Sequence, residues 1–235
     1  MIVLEHNSPS GRSSLAAKII IRIFVFLVFF VLLLFLPAGS FRFWQAWVYI
    51  ITLILPGFFV IAYFLRKDPD LLKRRLLQRH EKRKEQRSVQ EYVSTIFLIG
   101  ILIPGLDHRF QWSHVPSVVV LISDLFVLAG YLIFVRVMKE NSYASSIIEI
   151  TEDQKVIETG PYKIVRHPMY TAILILSVFT PVALGSYWAL IPFLTGTPAV
   201  LVLRIRDEEK FLIGHLPGYR EYCRKTRYRL VPFLW

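Results

Sequence analysis

The sequence predicts an all-α, polytopic helical membrane protein of about six transmembrane helices, the last two forming a C-terminal helical hairpin. Three observations carry this. Of 235 residues, 54% are hydrophobic against 19% charged, with a mean hydropathy of +0.49, too apolar for a soluble or a disordered chain. Apolar runs of roughly 20 residues, the length needed to cross a bilayer, recur along the chain. The charge excess, 28 Lys and Arg against 17 Asp and Glu, is bunched between those runs, which reads as membrane topology and not as a nucleic-acid surface. The single cysteine, Cys223, can form neither an intrachain disulfide nor a zinc cluster of its own, and no metal site is expected.

The first span runs from Ile19 to Leu36, with Arg22 near its start able to snorkel to the interface. Its length, and the second span that follows almost at once, mark it as a retained helix and not a cleaved leader. That second span, Phe43 to Leu65, opens with Trp44, Trp47 and Tyr49 at the interface and carries Pro56-Gly57, which predicts a kink. Between residues 66 and 87 ten basic side chains face four acids, so the loop 66–90 is placed on the cytoplasmic side. Leu71, Leu72, Leu76 and Leu77 fit either a basic amphipathic helix lying on anionic membrane lipid or a solvated connector. A third span, Val93 to Leu106, ends at Pro104-Gly105, and the polar loop Asp107 to His114 is set on the far side. The fourth, Val115 to Met138, contains Asp124. An intramembrane carboxylate either faces a cavity, a polar partner or a proton path, or is protonated and bonded within the bundle.

Residues 1–138 thus form an N-terminal set of four spans, and 139–235 a region where polar chemistry concentrates. Two apolar stretches, Pro168 to Leu184 and Tyr187 to Leu203, joined by Gly185-Ser186, read as a tight helical hairpin. Pro192, Gly196 and Pro198 predict a broken or bent second arm, and with it a gap through which an apolar ligand enters sideways from the membrane. The tail from Arg204 to Trp235 has eight basic and four acidic residues, which places it, and both termini, in the cytoplasm.

Polar residues that topology does not explain gather in residues 154–170 and in Arg204 to Glu209, one at each base of the hairpin. Gly160-Pro161 marks a turn. Pro168 suits a first helical turn, and it pushes His167 toward an extended conformation at the helix entrance. Tyr170 follows three residues later, and Arg204 and Glu208, four apart, share a helix face. One mouth is thereby offered His167, Tyr162, Tyr170, Arg204 and Glu208. The same residues also fit a helix cap, interfacial anchors and a solvated helix end.

The run Thr159-Gly-Pro-Tyr-Lys-Ile-Val-Arg-His-Pro-Met-Tyr170, the hairpin, Glu208-Glu209 with Leu212, and Leu216-Pro-Gly-Tyr-Arg-Glu-Tyr222 together resemble the isoprenylcysteine carboxyl methyltransferase family of integral membrane methyltransferases, relatives of the phospholipid methyltransferases. The likeness covers roughly Asn141 onward. It implies methyl transfer from S-adenosyl-L-methionine in a cytoplasmic cofactor pocket, to a lipophilic or prenylated small-molecule acceptor, most simply a carboxylate. It implies cofactor contacts from Lys155, Val156 and Ile157 through the backbone, from Tyr162, from the His167-Pro168-Met169-Tyr170 run and from Glu208, with Arg204 orienting the substrate.

The physical chemistry agrees. An ionised carboxylate needs no general base and can be held by an arginine pair, whereas an amine acceptor would call on His167 or Glu209 to take a proton. Aromatic faces at Tyr162 and Tyr170 suit a cation, and Glu208 can accept hydrogen bonds from an ammonium or ribose hydroxyls. Two other functions compete. A membrane reductase similar to the steroid reductases would share the hairpin and tail but use NADPH. A proton-coupled transporter would use Asp124 as its coupling site.

Overall fold

The computed structural model describes residues 9–67, 84–141 and 154–235, with side chains described at 17, 19–67, 91–141 and 154–235. The leucines at 71–77, and with them the choice between amphipathic helix and connector, lie outside the described residues. Helices are the regular elements among those described: α1 Pro9–Ala38, α2 Trp44–Lys67, α3 Lys84–Phe110, α4 Ser117–Glu140, a 3-10 turn Gly160–Lys163, α5 Pro168–Ala183, α6 Leu190–His215 and α7 Tyr219–Lys225. Four stretches are long and apolar enough to cross a membrane: Ile19–Ala38, Trp44–Lys67, Glu91–Phe110 and Ser117–Glu140. The expected fifth span, α5, is a shorter apolar helix of 16 residues, about 24 Å at 1.5 Å per residue. The expected sixth is the first half of α6, whose second half is charged.

Large apolar side chains stand outward on the long helices, among them Phe24 at 66%, Phe58 at 70% and Leu125 at 66% exposure, as lipid-facing surfaces do. The interior is built by close approach. Along α3 and α6 two glycines receive the neighbouring helix: a Cβ on Gly100 would lie 2.3 Å from the Phe193 ring, and one on Gly196 2.5 Å from Ile96 Cδ1. Gly105 lets α3 meet the α1 backbone, where a Cβ would fall 2.6 Å from the Leu34 carbonyl oxygen. The α4 and α5 pair is the most intimate, with Gly130 against Ile175 and Leu176 and the Phe126 and Phe179 rings stacked at 4.2 Å.

These contacts correct two expectations. Pro104-Gly105 does not end the third span; α3 runs on to Phe110, because Gly105 serves the contact with α1. The second arm of the hairpin is one continuous helix from Leu190 to His215, with Pro192 in its first turn and Gly196 occupied by Ile96, so the sideways gap expected at Pro192, Gly196 and Pro198 is filled by α3. The second helix carries Pro56, the site of the expected kink, inside one continuous helix from Trp44 to Lys67. The hairpin turn itself is as expected. Gly185, at φ +72°, places its N–H on the Val182 carbonyl at 2.9 Å and that of Ser186 on the Pro181 carbonyl at 2.9 Å, the paired bonds of a Schellman ending.

Antiparallel packing collects the ends of the helices into two polar layers. At the Gly185 end, Asp107 is 1% exposed and not in a solvated loop. Its carboxylate accepts from the Ser113 N–H and hydroxyl, each at 2.7 Å, and from the Ser186 hydroxyl. Between the layers Asp124 is buried on α4, facing Tyr49 and Thr52 of α2. The opposite layer holds the candidate site.

Candidate active site

At the start of α5, His167 is the residue before the helix, at φ −124° and ψ 61°, outside the α region that Pro168 in the next position disfavours but short of the extended ψ expected. Its carbonyl oxygen accepts the Tyr170 and Thr171 N–H groups at 3.0 and 3.1 Å, while its ring caps nothing. The ring turns inward instead, 6% exposed, with Nε2 3.3 Å from Glu209 Oε1 and Nδ1 3.8 Å from Glu208 Oε1. It stacks on Tyr170 at 5.7 Å. Because α6 is continuous, Arg204 and Glu208 stand one turn apart on one face and both reach Tyr170. The Tyr170 hydroxyl donates to Glu208 Oε2 at 2.6 Å and accepts from Arg204 Nε at 2.8 Å. One phenol therefore bridges the expected substrate arginine and the expected cofactor carboxylate.

The two adjacent glutamates do different work. Glu209 is 5% exposed and clasped by Arg166 Nη1 at 3.0 Å, Arg229 Nε at 2.8 Å and His167. Burial opposes its ionisation, but the hydrogen bonds from His167 and Arg229 and the charge of Arg166 outweigh it and hold the carboxyl below the usual carboxylate range. Glu208, with 26% of its side chain exposed, remains partly accessible.

These distances join the Arg-His-Pro-Met-Tyr run to the glutamate pair across some 40 residues of hairpin, the pairing that the resemblance requires. Residues 119–214 match the family described as the isoprenylcysteine carboxyl methyltransferase (ICMT) family. Residues 119–214 belong to that family. No curated protein matches the chain. The ICMT match begins inside α4, upstream of the first residue of the motifs read from sequence, and so takes in most of the α4–α5 packing described above. The match supports a membrane methyltransferase at the level of the family, on a multi-pass helical scaffold.

The remaining expected ICMT site residues divide. Tyr162 lies in the 3-10 turn, bonded to its own neighbours: Asn141 Nδ2 donates to its hydroxyl at 2.9 Å, and its carbonyl accepts from the hydroxyls of Tyr222 at 2.8 Å and Thr226 at 3.3 Å. Gly160, at φ +56°, makes that turn, and a Cβ there would strike Glu140, whose carboxylate takes the Thr159 hydroxyl. Val156 packs with Tyr162, Leu212 and Tyr219, Ile157 is half-buried beside it in sequence, and Lys155 is exposed. Met169 is not brought to the glutamates by its side chain, which packs against Ile19, Phe64 and Met138. Pro168 is buried, and it also lines an apolar groove of about 530 Å³ between α4, the 3-10 turn and the tail, with Leu132, Ile133, Ile164, Val165 and Leu230.

Three contributors to the site were not expected: Arg166, read only as part of the Arg-His-Pro-Met-Tyr run; Arg229, counted as topology charge; and the tail's main chain. The Arg166 and His167 N–H groups bond the Tyr228 and Arg229 carbonyls at 2.8 and 3.0 Å, and the Thr171 hydroxyl bonds that of Leu230 at 2.7 Å. Adjacency of Arg166 to His167 was the available signal for the first. Nothing in the sequence announces carbonyl partners.

Proposed function

We propose that the protein is an S-adenosyl-L-methionine-dependent methyltransferase acting on a lipophilic acceptor, most simply a carboxylate of the prenylcysteine type, at a mouth on the cytoplasmic side with both termini in the cytoplasm. The observation that carries this reading is the Arg204–Tyr170–Glu208 chain of hydrogen bonds, which sets an anion-binding side chain and a cation-binding side chain a few ångströms apart beside His167. The donor set fits the methyl donor: a partly exposed carboxylate for its ammonium or ribose hydroxyls, aromatic faces at Tyr162 and Tyr170, and main chain at residues 155–157. When bound, that cofactor supplies an electrophilic methyl group.

The protein's part is alignment. Arg204, fixed by Tyr170, orients the acceptor carboxylate, and methyl transfer to an ionised carboxylate requires no proton to leave. His167 is then a positioning residue, held by Glu209 and facing Glu208. The apolar chain of the acceptor has a place in the groove along Leu132, Ile133, Ile164 and Pro168, the residue that follows His167, in exchange for the route past Gly196 that the packing closes. Among the described residues no group of three or more His, Cys, Asp or Glu is placed to hold a metal ion.

The test is calorimetric binding of S-adenosyl-L-methionine to detergent-purified protein with NADPH as the competing ligand, followed by methylation assays on lipidic carboxylates, amines and thiols. Donor binding weakened by Glu208→Ala and Tyr162→Ala is expected. Arg204→Ala should abolish turnover on a carboxylate, and a harmless Arg204→Ala with a severe His167→Ala would instead assign an amine acceptor.

A further inference from the structure

Tyr219 carries a hydroxyl that the fold does not use. The residue is 5% exposed; its ring packs with Leu216 and Tyr222 and against Val156, Tyr162 and Leu212. Its oxygen is buried with no hydrogen-bond partner among the described residues. A phenol in that condition has given up its bonds to water without replacement, and buried polar groups without a partner are rare enough to need a reason. Phenylalanine would fill the same space without the loss, so packing alone does not explain a tyrosine here.

The surroundings supply a reason. Val156 and Tyr162, which share its packing cluster, and Glu208, which lies near enough to act on its charge, are three of the residues expected at the methyl donor. Gly218, at φ +84°, turns the chain so that α7 starts against Val156, whose Cγ2 would lie 3.8 Å from a Cβ at that glycine. Burial, then Cys223, Glu208 and Glu209, push the phenol up, so it keeps its proton and is a donor. Glu209 is already paired with Arg166 and Arg229, so Glu208 is the charge left to disfavour an anion at this hydroxyl, and an uncharged acceptor atom is the better partner.

We propose that Tyr219 is a ligand-binding residue whose hydroxyl donates to a neutral acceptor on the nucleoside half of the methyl donor. This rests on the methyl-donor reading above. In that molecule the neutral acceptors are ribose oxygens and adenine ring nitrogens, whereas the amino-acid end presents a carboxylate that Glu208 disfavours.

The experiment uses the full chain in detergent and three ligands, S-adenosylmethionine, S-adenosylhomocysteine and 5′-methylthioadenosine, the last lacking the amino-acid end. Tyr219→Phe is compared with wild type and with Tyr187→Phe at the opposite end of the bundle. We expect Tyr219→Phe to weaken all three ligands by a common factor of about ten, the size of one hydrogen bond. The Tm of the ligand-free variant should be no lower than wild type, while its ligand-induced rise shrinks. Unchanged affinity for S-adenosylhomocysteine overturns the proposal, as does a weakening confined to the ligands that carry the amino-acid end. A ligand-free Tm that falls with the substitution also overturns it, since it would mean that the hydroxyl is bonded inside the fold. A folded wild type that binds none of the three removes the methyl-donor reading itself, an outcome distinct from any difference between variants.

Discussion

Two polar clusters are buried at opposite ends of the same helices, and they are built differently. At the Gly185 end the Asp107 carboxylate is saturated and buried: Ser113 supplies an N–H and a hydroxyl, and Ser186 a second hydroxyl. At the Glu208 end the carboxylates are split. Glu209 is saturated by Arg166, His167 and Arg229, while Glu208 remains partly exposed and Tyr219 has an unused donor. The comparison teaches a way to separate structural polarity from functional polarity in a membrane protein. A closed set of hydrogen bonds ties helices together, whereas an incomplete set beside an opening is available to a ligand.

If that distinction holds, substitutions at the two ends should separate stability from binding. The largest expected loss of stability is from Asp107→Ala, which leaves the Ser113 N–H and the Ser186 hydroxyl buried without an acceptor. We expect about 4 kcal/mol by thermal or denaturant unfolding, with methyl-donor affinity unchanged in the protein that remains folded. Loss of donor affinity there would break the comparison. Glu209→Ala should come next at about 3 kcal/mol, since it strands two arginines against each other beside His167.

The pH dependence of stability sharpens the same point. The folded Glu209 carboxyl ionises below its unfolded value, so its contribution is fully present above the ordinary carboxylate range and is lost as pH falls through the lower folded value. Unfolding curves taken from neutral to acid pH should show Tm falling in that window for wild type, and a shallower fall for Glu209→Gln. Glu208→Gln is expected to change stability by less than about 1 kcal/mol while weakening methyl-donor binding about tenfold or more, equivalent to about 1.4 kcal/mol. The smallest effect belongs to Asp124→Asn, an uncharged replacement facing Tyr49 and Thr52: less than about 1 kcal/mol by unfolding and no change in donor affinity. Proton-coupled flux in proteoliposomes that this substitution abolishes would restore a transport role.

The fold was largely legible because bilayer thickness dictates the length of an apolar run and charge dictates where it stops. What was not legible followed from contacts between distant residues. Pro104-Gly105 and Pro192, Gly196 and Pro198 look like interruptions when read locally. Gly105 and Gly196 are instead where α1 and α3 press in, and the helices carry on through them. Asp107 looks like loop polarity until Ser186, 79 positions away, is seen to complete it. In the site, the residue types at 162, 167, 170, 204 and 208 were enough to propose a mouth, since spacing alone puts Arg204 and Glu208 on one face. The division of labour between Glu208 and Glu209 was not, because it depends on Arg229, which lies 20 positions further on in a tail that reads as plain positive charge.

The tail's grip on Arg166 and His167 is made by carbonyl oxygens, which every residue type carries. That part of the tail's work does not depend on side-chain type, unlike the pairing of Arg229 with Glu209. The floor of the site therefore runs on through residues 228–230, beyond residue 214 where the family match stops.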